Sequence, residues 1–168
     1  MTESDFYWYW LANISGIGVR TQKKLLDYFV HPSVIYDASE KEIKNILSKK
    51  QCEAFFMSKN EKIINNSASK LLHKGINFFH RESPEYPERL SELYDSPNLL
   101  YYIGRLPDFS RPILAIVGSR RATIYGRKMA REFSAKLAQQ GIQIVSGMAA
   151  GVDAAGHMGA LDVGGYTL

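Results

Sequence analysis

The residues whose types and spacing best fit a chemical task are Gly118, Ser119, Arg120 and Arg121, followed by Ser146, Gly147 and Gly151. The first group breaks an apolar run inside ILAIVGSRRATIYG (113–126), ahead of a helical pattern that begins at Ile124. The second repeats the plan inside QIVSGMAAGVDAAGHMGAL (143–161), with a helix opening near Asp153. The chemistry such a pair suits is anion binding. Two strand–glycine-turn–helix units in series bring two helix N-termini, with free N–H groups and positive dipole ends, to one edge of a sheet. Glycine lets backbone approach a ligand closely, and a serine hydroxyl either caps the next helix or bonds a phosphate oxygen. Arg120 adds fixed charge and a donor fork matched to phosphate, and its planar face also suits stacking on a base. Arg121, adjacent on a helix, points elsewhere. The plainer alternatives are a helix cap with a solvated arginine at the first turn and a tight, ligand-free connection at the second.

Other constellations are weaker. Asp153 reads as an N-cap or first-turn acid, and His157 lies four residues on, so the two share a helix face. Structural pairing or packing is the expectation, because no serine or cysteine nucleophile is placed to complete a catalytic set. Tyr125 is a candidate to pack beside the first turn. Gly16-Ile17-Gly18, within NISGIGVRTQKKLLDYF, resembles a helix-hairpin-helix element. Its turn N–H groups would meet a backbone phosphate, with Arg20, Lys23 and Lys24 in support; the alternative is a protein-contact domain with a glycine turn.

Several classes are excluded. No G-x-x-x-x-G-K-[ST] occurs, so this is not a Walker-type nucleotidase. The turn V-G-S-R lacks the G-x-G-x-x-G form and the second buried strand ends in Ser146 rather than an acid, which argues against a dinucleotide cofactor. His31, His73, His80 and His157 lack metal-ligand spacing, and no carboxylate pair suggests hydrolysis. Catalytic residues, metal and cofactor are therefore all expected to be absent. Cys52 is alone, which rules out an internal disulfide and fits a reducing, cytoplasmic setting. No apolar run reaches the length of a membrane span, and the acidic N-terminus is unlike a secretory signal.

The net charge of +4 says less than its distribution. Between Arg111 and Lys136 the chain carries Arg111, Arg120, Arg121, Arg127, Lys128, Arg131 and Lys136 against the single acid Glu132. That cluster points to a polyanion rather than a small metabolite.

The elements that must position these residues are legible as patterns. Residues 5–74 read as helices: 5–11, 20–29, a short one at 34–36 after an interruption at Pro32, 40–47, and one long helix over 52–72 closed by Gly75. Strands are expected at 76–79, 99–103, 113–117 and 142–145, with helices at 88–94, 124–140 and 152–162. Alternating strands and helices predict a parallel sheet with right-handed crossovers.

Together with Tyr86-Pro87, Leu90, Leu93, Asp95, Pro97, Leu100-Tyr101 and Gly104 upstream, the pair VGSRRATIYG and SGMAAGVDAAGHMGAL resembles the signature of the DNA-processing protein A family, DprA or Smf. The resemblance covers roughly residues 86–167. It implies an α/β fold: a helical, SAM-like or helix-hairpin-helix-like N-terminal domain at 1–75, then the first part of a Rossmann-like parallel-sheet domain at 76–168. It implies a bacterial, cytoplasmic, non-enzymatic protein that binds single-stranded DNA without sequence preference. In that family the protein protects incoming DNA during natural transformation and helps load RecA. The chain ends where the family enters another strand, so the N-terminal part of a longer protein, or a naturally shortened one, is expected. An apolar strand edge left unpaired there predicts self-association. A rival reading is a Rossmann-like nucleotide enzyme of the phosphoribohydrolase type, of whose glycine-rich catalytic loop Gly164-Gly165-Tyr166-Thr167 is a faint echo without the glutamate. A third is a partner module that has lost DNA binding.

Overall fold

The computed structural model describes all residues, 1–168, and their contacts divide them into two compact units, Met1–Gly104 and Arg105–Leu168. In the first, six helices lead into a β-pair. These are α1 (Glu3–Ala12), α2 (Val19–Phe29), α3 (Pro32–Asp37), α4 (Glu40–Ile46), α5 (Lys49–Ser58) and α6 (Glu61–His73). They are followed by β1 (Asn77–His80), the short α7 (Glu88–Ser91) and β2 (Leu99–Tyr102). Side-chain caps set the helix starts: Thr2 with Asp5, Ser39 with Glu42 and Ser48 with Gln51 form capping boxes. The apolar faces converge on a core that includes Trp10, Leu11, Leu25, Ile35, Ile43 and Phe55, and the Trp10 indole N–H is satisfied by Ser58 Oγ at 2.7 Å.

Three expectations change here. Pro32 does not interrupt a helix; it is the first residue of α3, where its missing N–H costs nothing. The single helix expected over 52–72 is two, because Asn60 accepts the Ile63 N–H at 3.2 Å and starts α6 afresh. The strands at 77–80 and 99–102 do not join a parallel sheet. They pair antiparallel with each other, from Asn77 opposite Tyr102 to His80 opposite Leu99. This hairpin packs with the helices, within the unit Met1–Gly104. Leu99 is part of the helical core, Asn98 donates to Gln22 at 2.9 Å, and Tyr101 exchanges hydrogen bonds with Asn13.

The second unit carries the alternating pattern: β3 (Ile113–Ala115), α8 (Ile124–Gln139), β4 (Gln143–Val145) and α9 (Val152–Asp162). β3 and β4 run parallel, Ile113 opposite Gln143 through Ala115 opposite Val145. The last residues extend the ladder on the far side of β4: Ile144 N–H donates to Tyr166 O at 3.0 Å and Leu168 N–H to Ile144 O at 2.9 Å. A small core of Ile144, Ala138 and Ala160, flanked by Ile116 and Leu137, lies under the helices. The helices α8 and α9 touch closely because Gly159 has no side chain; a Cβ there would fall on the Arg131 carbonyl. That contact compensates the helix-propensity cost of Gly159, about 1 kcal/mol against alanine. No helix of the chain is long and apolar enough to cross a membrane.

Candidate functional site

The two glycine turns do meet. Each follows a parallel strand and precedes a helix, so neighbouring strands place them side by side, and Val152 N–H at the start of α9 donates to the Ser119 carbonyl of the first turn at 3.2 Å. Gly151 makes that contact possible. It sits at φ +90°, and a Cβ there would collide with the carbonyl oxygens of Ser119 and Arg120, the latter at 2.7 Å.

What joins the turns most directly is Asp153. Its side chain is buried, with one oxygen accepting the Gly118 N–H at 3.2 Å and the other the Gly147 N–H at 3.1 Å. Burial, the largest single influence, pushes this carboxyl up; the N–H groups of Gly118, Ala149 and Gly147, with the nearby Ser146 hydroxyl, more than reverse it and hold it below its ordinary value. Asp153 is therefore an ionised brace between the turns. Its role is structural, though its partners are the turn N–H groups and not His157, whose Nδ1 faces Thr167 Oγ1 at 2.6 Å.

This brace redistributes the expected site. Gly118 and Gly147 spend their N–H groups on Asp153. Ser146 spends its N–H on Leu168 O at 2.9 Å and its hydroxyl on Ile116 O at 2.6 Å, clasping β4 to β3. Ser119 does not cap α8, since Thr123 does, accepting the Gly126 N–H at 3.0 Å; Ser119 Oγ instead accepts the Arg121 N–H at 3.2 Å. Donors left without an acceptor in the chain include the N–H groups of Ser119 and Arg120 in the first turn, on an exposed stretch with both arginine side chains, and those of Met148, Ala150 and Gly151 in the second. Tyr125 does not pack beside the turn; it is 71% exposed.

The basic segment is thinner than its sequence. Arg111 pairs with Asp108 at 3.1 Å, Lys128 with Glu132 at 3.8 Å, and Arg131 forks onto both oxygens of Asp162, Nη2 at 2.8 Å. Arg120, Arg121, Arg127 and Lys136 have no carboxylate within ion-pairing distance and are exposed. A cavity of about 540 Å³ lies near the start of β4, lined by Arg105, Asp108, Arg111, Gln143 and Tyr166. Its charges are engaged: Arg111 by Asp108, and Arg105 over the Tyr166 ring at 5.8 Å.

In the other unit, Gly16 (φ +76°) and Gly18 form the exposed turn between α1 and α2. Of the cations expected to support it, Arg20 pairs with Asp95 at 3.6 Å and Lys23 with Asp27 at 2.9 Å and lies beside the Tyr94 ring, while Lys24 is exposed and outside every ion pair.

Asp153 is the residue that sequence reasoning undervalued. An acid in the first turn of a helix is favoured by the dipole anywhere, and no local signal shows that its partner lies 35 residues upstream.

Residues 77–168 match the family model described as DNA recombination-mediator protein A. The chain is 31% identical over 159 residues to protein Smf of Borreliella burgdorferi, an alignment spanning 91% of this chain and 48% of that protein. It is 33% identical over 174 residues to protein Smf of Synechocystis, spanning 95% of this chain and 42% of that protein. The solved structure of DNA processing protein A from Streptococcus pneumoniae superimposes with a TM-score of 0.74 at 29% identity, covering 99% of this chain and 56% of that one. The chain thus spans about half the length of these relatives. Matched over more than half its residues, with the paired glycine turns inside the matched segment, the chain belongs to the DNA recombination-mediator protein A family, that of the DprA and Smf proteins.

Proposed function

We propose that the chain binds single-stranded DNA through its phosphate backbone, without sequence preference, as part of DNA processing in natural transformation. In this reading Arg105–Leu168 is the first part of a Rossmann-like domain and the helical unit is SAM-like. The observation that carries the proposal is the first turn. Unpartnered N–H groups of Ser119 and Arg120 stand with two arginines free of carboxylates at a strand-to-helix junction. Backbone donors and guanidinium forks recognise phosphate and carry no base code, so binding of this kind is indifferent to sequence and weakened by salt. Membership of the DprA and Smf family supports a DNA-processing role, and strand protection and assistance to RecA belong to the proposal as what the resemblance implies. The turn at Gly16 and Gly18 is the weaker contact of the proposal, because Arg20 and Lys23 must first leave their acids. Exposed apolar residues in the second unit, Val117, Phe133 and Leu161 among them, support self-association, which sedimentation velocity checks.

The enzymatic alternative draws no support from the geometry. Asp153 is buried and saturated with donors, and His157 is turned to Thr167.

The test is fluorescence anisotropy with a labelled oligothymidylate, comparing Arg120→Ala with Arg111→Ala. A charge-assisted phosphate contact is worth roughly 1.5–3 kcal/mol, so Arg120→Ala should lose about ten- to hundredfold in affinity. Arg111, already paired, should lose little. Equal losses would remove the first turn from the site.

A further inference from the structure

The helical unit holds a buried titratable group that the glycine turns do not use. His80 ends β1 and is 6% exposed, with its ring stacked on Trp8 of α1 at 5.5 Å. Both ring nitrogens are engaged. Nδ1 accepts the Glu82 N–H at 3.2 Å, and Nε2 faces Asp5 Oδ1 at 3.4 Å. Because a backbone N–H only donates, Nδ1 is bare and the single proton of the neutral ring sits on Nε2. The turn is pinned again by His80 N–H to Ser83 Oγ at 2.9 Å and by Ser83 N–H to His80 O at 2.8 Å. Glu82 then reaches two helices. Its Oε2 accepts the Trp8 indole N–H at 3.1 Å and lies 3.5 Å from Nε2 of His31, the N-cap of α3.

We propose that His80 is an acid-operated latch: with Nδ1 bare it holds Glu82 so that the turn after β1 is fastened to α1 and α3, and a proton on Nδ1 releases that turn and uncovers Trp8. The added proton sets N–H against N–H where the two nitrogens now stand 3.2 Å apart. The Glu82 amide has to leave, and its carboxylate leaves the Trp8 indole with it. The groups around the ring pull in both directions. Burial, the largest influence, disfavours the imidazolium; Asp5 on α1 and Glu82 in the turn favour it, and His31 at the start of α3 opposes it. The balance leaves the folded value below the ordinary one. The latch is therefore fully closed above the ordinary histidine range and is lost as pH falls through the folded value. Trp8 is the residue that opening changes most. It is 2% exposed, with His80 stacked on its face and His31 set edge-on at 6.1 Å. Trp10 on the same helix is tied elsewhere, its indole donating to Ser58 Oγ at 2.7 Å.

Heteronuclear NMR of the whole chain between about pH 8 and about pH 5 tests this. At the upper end the imidazole nitrogens should report the Nε2–H tautomer of His80. On acidification the His80 ring, the Glu82 amide and the Trp8 indole N–H should titrate together, with one midpoint below the ordinary histidine value, while the Trp10 indole N–H stays in place. Below that midpoint the exchange protection of the Glu82 amide, corrected for the intrinsic pH dependence of exchange, should fall by about tenfold per pH unit, the linkage of one proton. An Nδ1–H tautomer, or a Glu82 amide that ignores the His80 titration, would overturn the proposal. So would a Trp10 signal that moves in step with Trp8, because it reports general unfolding. His80→Asn offers an amide oxygen in place of Nδ1 and has no ring to titrate. In that variant the Trp8 indole signal should hold its closed position down to about pH 5. A Trp8 signal that titrates as in the wild-type chain would place the switch on another group and overturn the assignment. The wild-type titration decides the question by itself if the variant does not fold.

Discussion

Replacing Gly151 with alanine probes how closely the two turns are fitted. Gly151 combines φ +90° with ψ −121°, a backbone conformation that L side chains rarely adopt, and holding alanine there costs about 1–3 kcal/mol. The added Cβ would also collide with the carbonyl oxygens of Ser119 and Arg120, and forcing backbone apart in a packed region costs about 1–3 kcal/mol more. Gly164→Ala is the matched control, since Gly164 has φ +68° but nothing within 4 Å of its Cβ position. It should lose only the conformational part, about 1–2 kcal/mol. The two variants should therefore differ by roughly 1–3 kcal/mol, which is about 5- to 150-fold in a local opening equilibrium. Hydrogen exchange read by mass spectrometry on peptides from the two turns reports that equilibrium directly. Equal loss of protection in the two variants would refute the close approach, as would protection in Gly151→Ala that matches wild type.

Other perturbations follow from the same contacts. His80 is buried, which pushes its pKa below the ordinary histidine value, while Asp5 and Glu82 pull it back in part. Because the folded value is depressed, its contribution to stability is intact above the ordinary histidine range and is lost as pH falls through the folded value. His80 stacks on Trp8 at 5.5 Å, so acidification from about pH 7 to about pH 5 should quench tryptophan emission, and His80→Asn should flatten that profile. Asp153, whose folded value is also depressed, stabilises its unit above the ordinary carboxylate range; denaturation midpoints should drop as acid protonates it, and less so in Asp153→Asn. Arg131→Ala breaks an exposed fork to Asp162 and should shift the urea midpoint only slightly, leaving oligothymidylate affinity nearly unchanged, whereas Arg127→Ala should weaken it.

The elements around the site were legible because local rules decide them. α8 starts where its pattern does, at Ile124, and α9 both starts and ends where its pattern does. The break at Asn60 was hidden because apolar residues on both sides share a helical period, and one side-chain cap outweighed that continuity. The placement of β1 and β2 was not legible either. Alternation with helices suggests a parallel sheet, but the hairpin is drawn to the helical core by Leu99, Asn98 and Tyr101, through contacts 76 and 88 residues apart in sequence. At the site, residue types point to an anion-binding turn, the reading proposed above. Which N–H groups face a ligand depends on where Asp153 reaches, and which cations are free depends on Arg131 finding Asp162 across two helices. Neither long-range partner leaves a local trace.

The most direct test of the central claim is the salt dependence of oligothymidylate affinity. Single-stranded DNA binding loses about 0.7 in log affinity per tenfold rise in salt for each phosphate neutralised. With Arg120 and Arg121 alone engaged the slope should be about −1.4, and with Arg127 and Lys136 added about −2.8, a fall of about 7- to 50-fold between 50 and 200 mM salt. Arg120→Ala should make the slope shallower by about 0.7. A flat salt profile, or a slope that Arg120→Ala leaves unchanged, would contradict phosphate recognition at this edge.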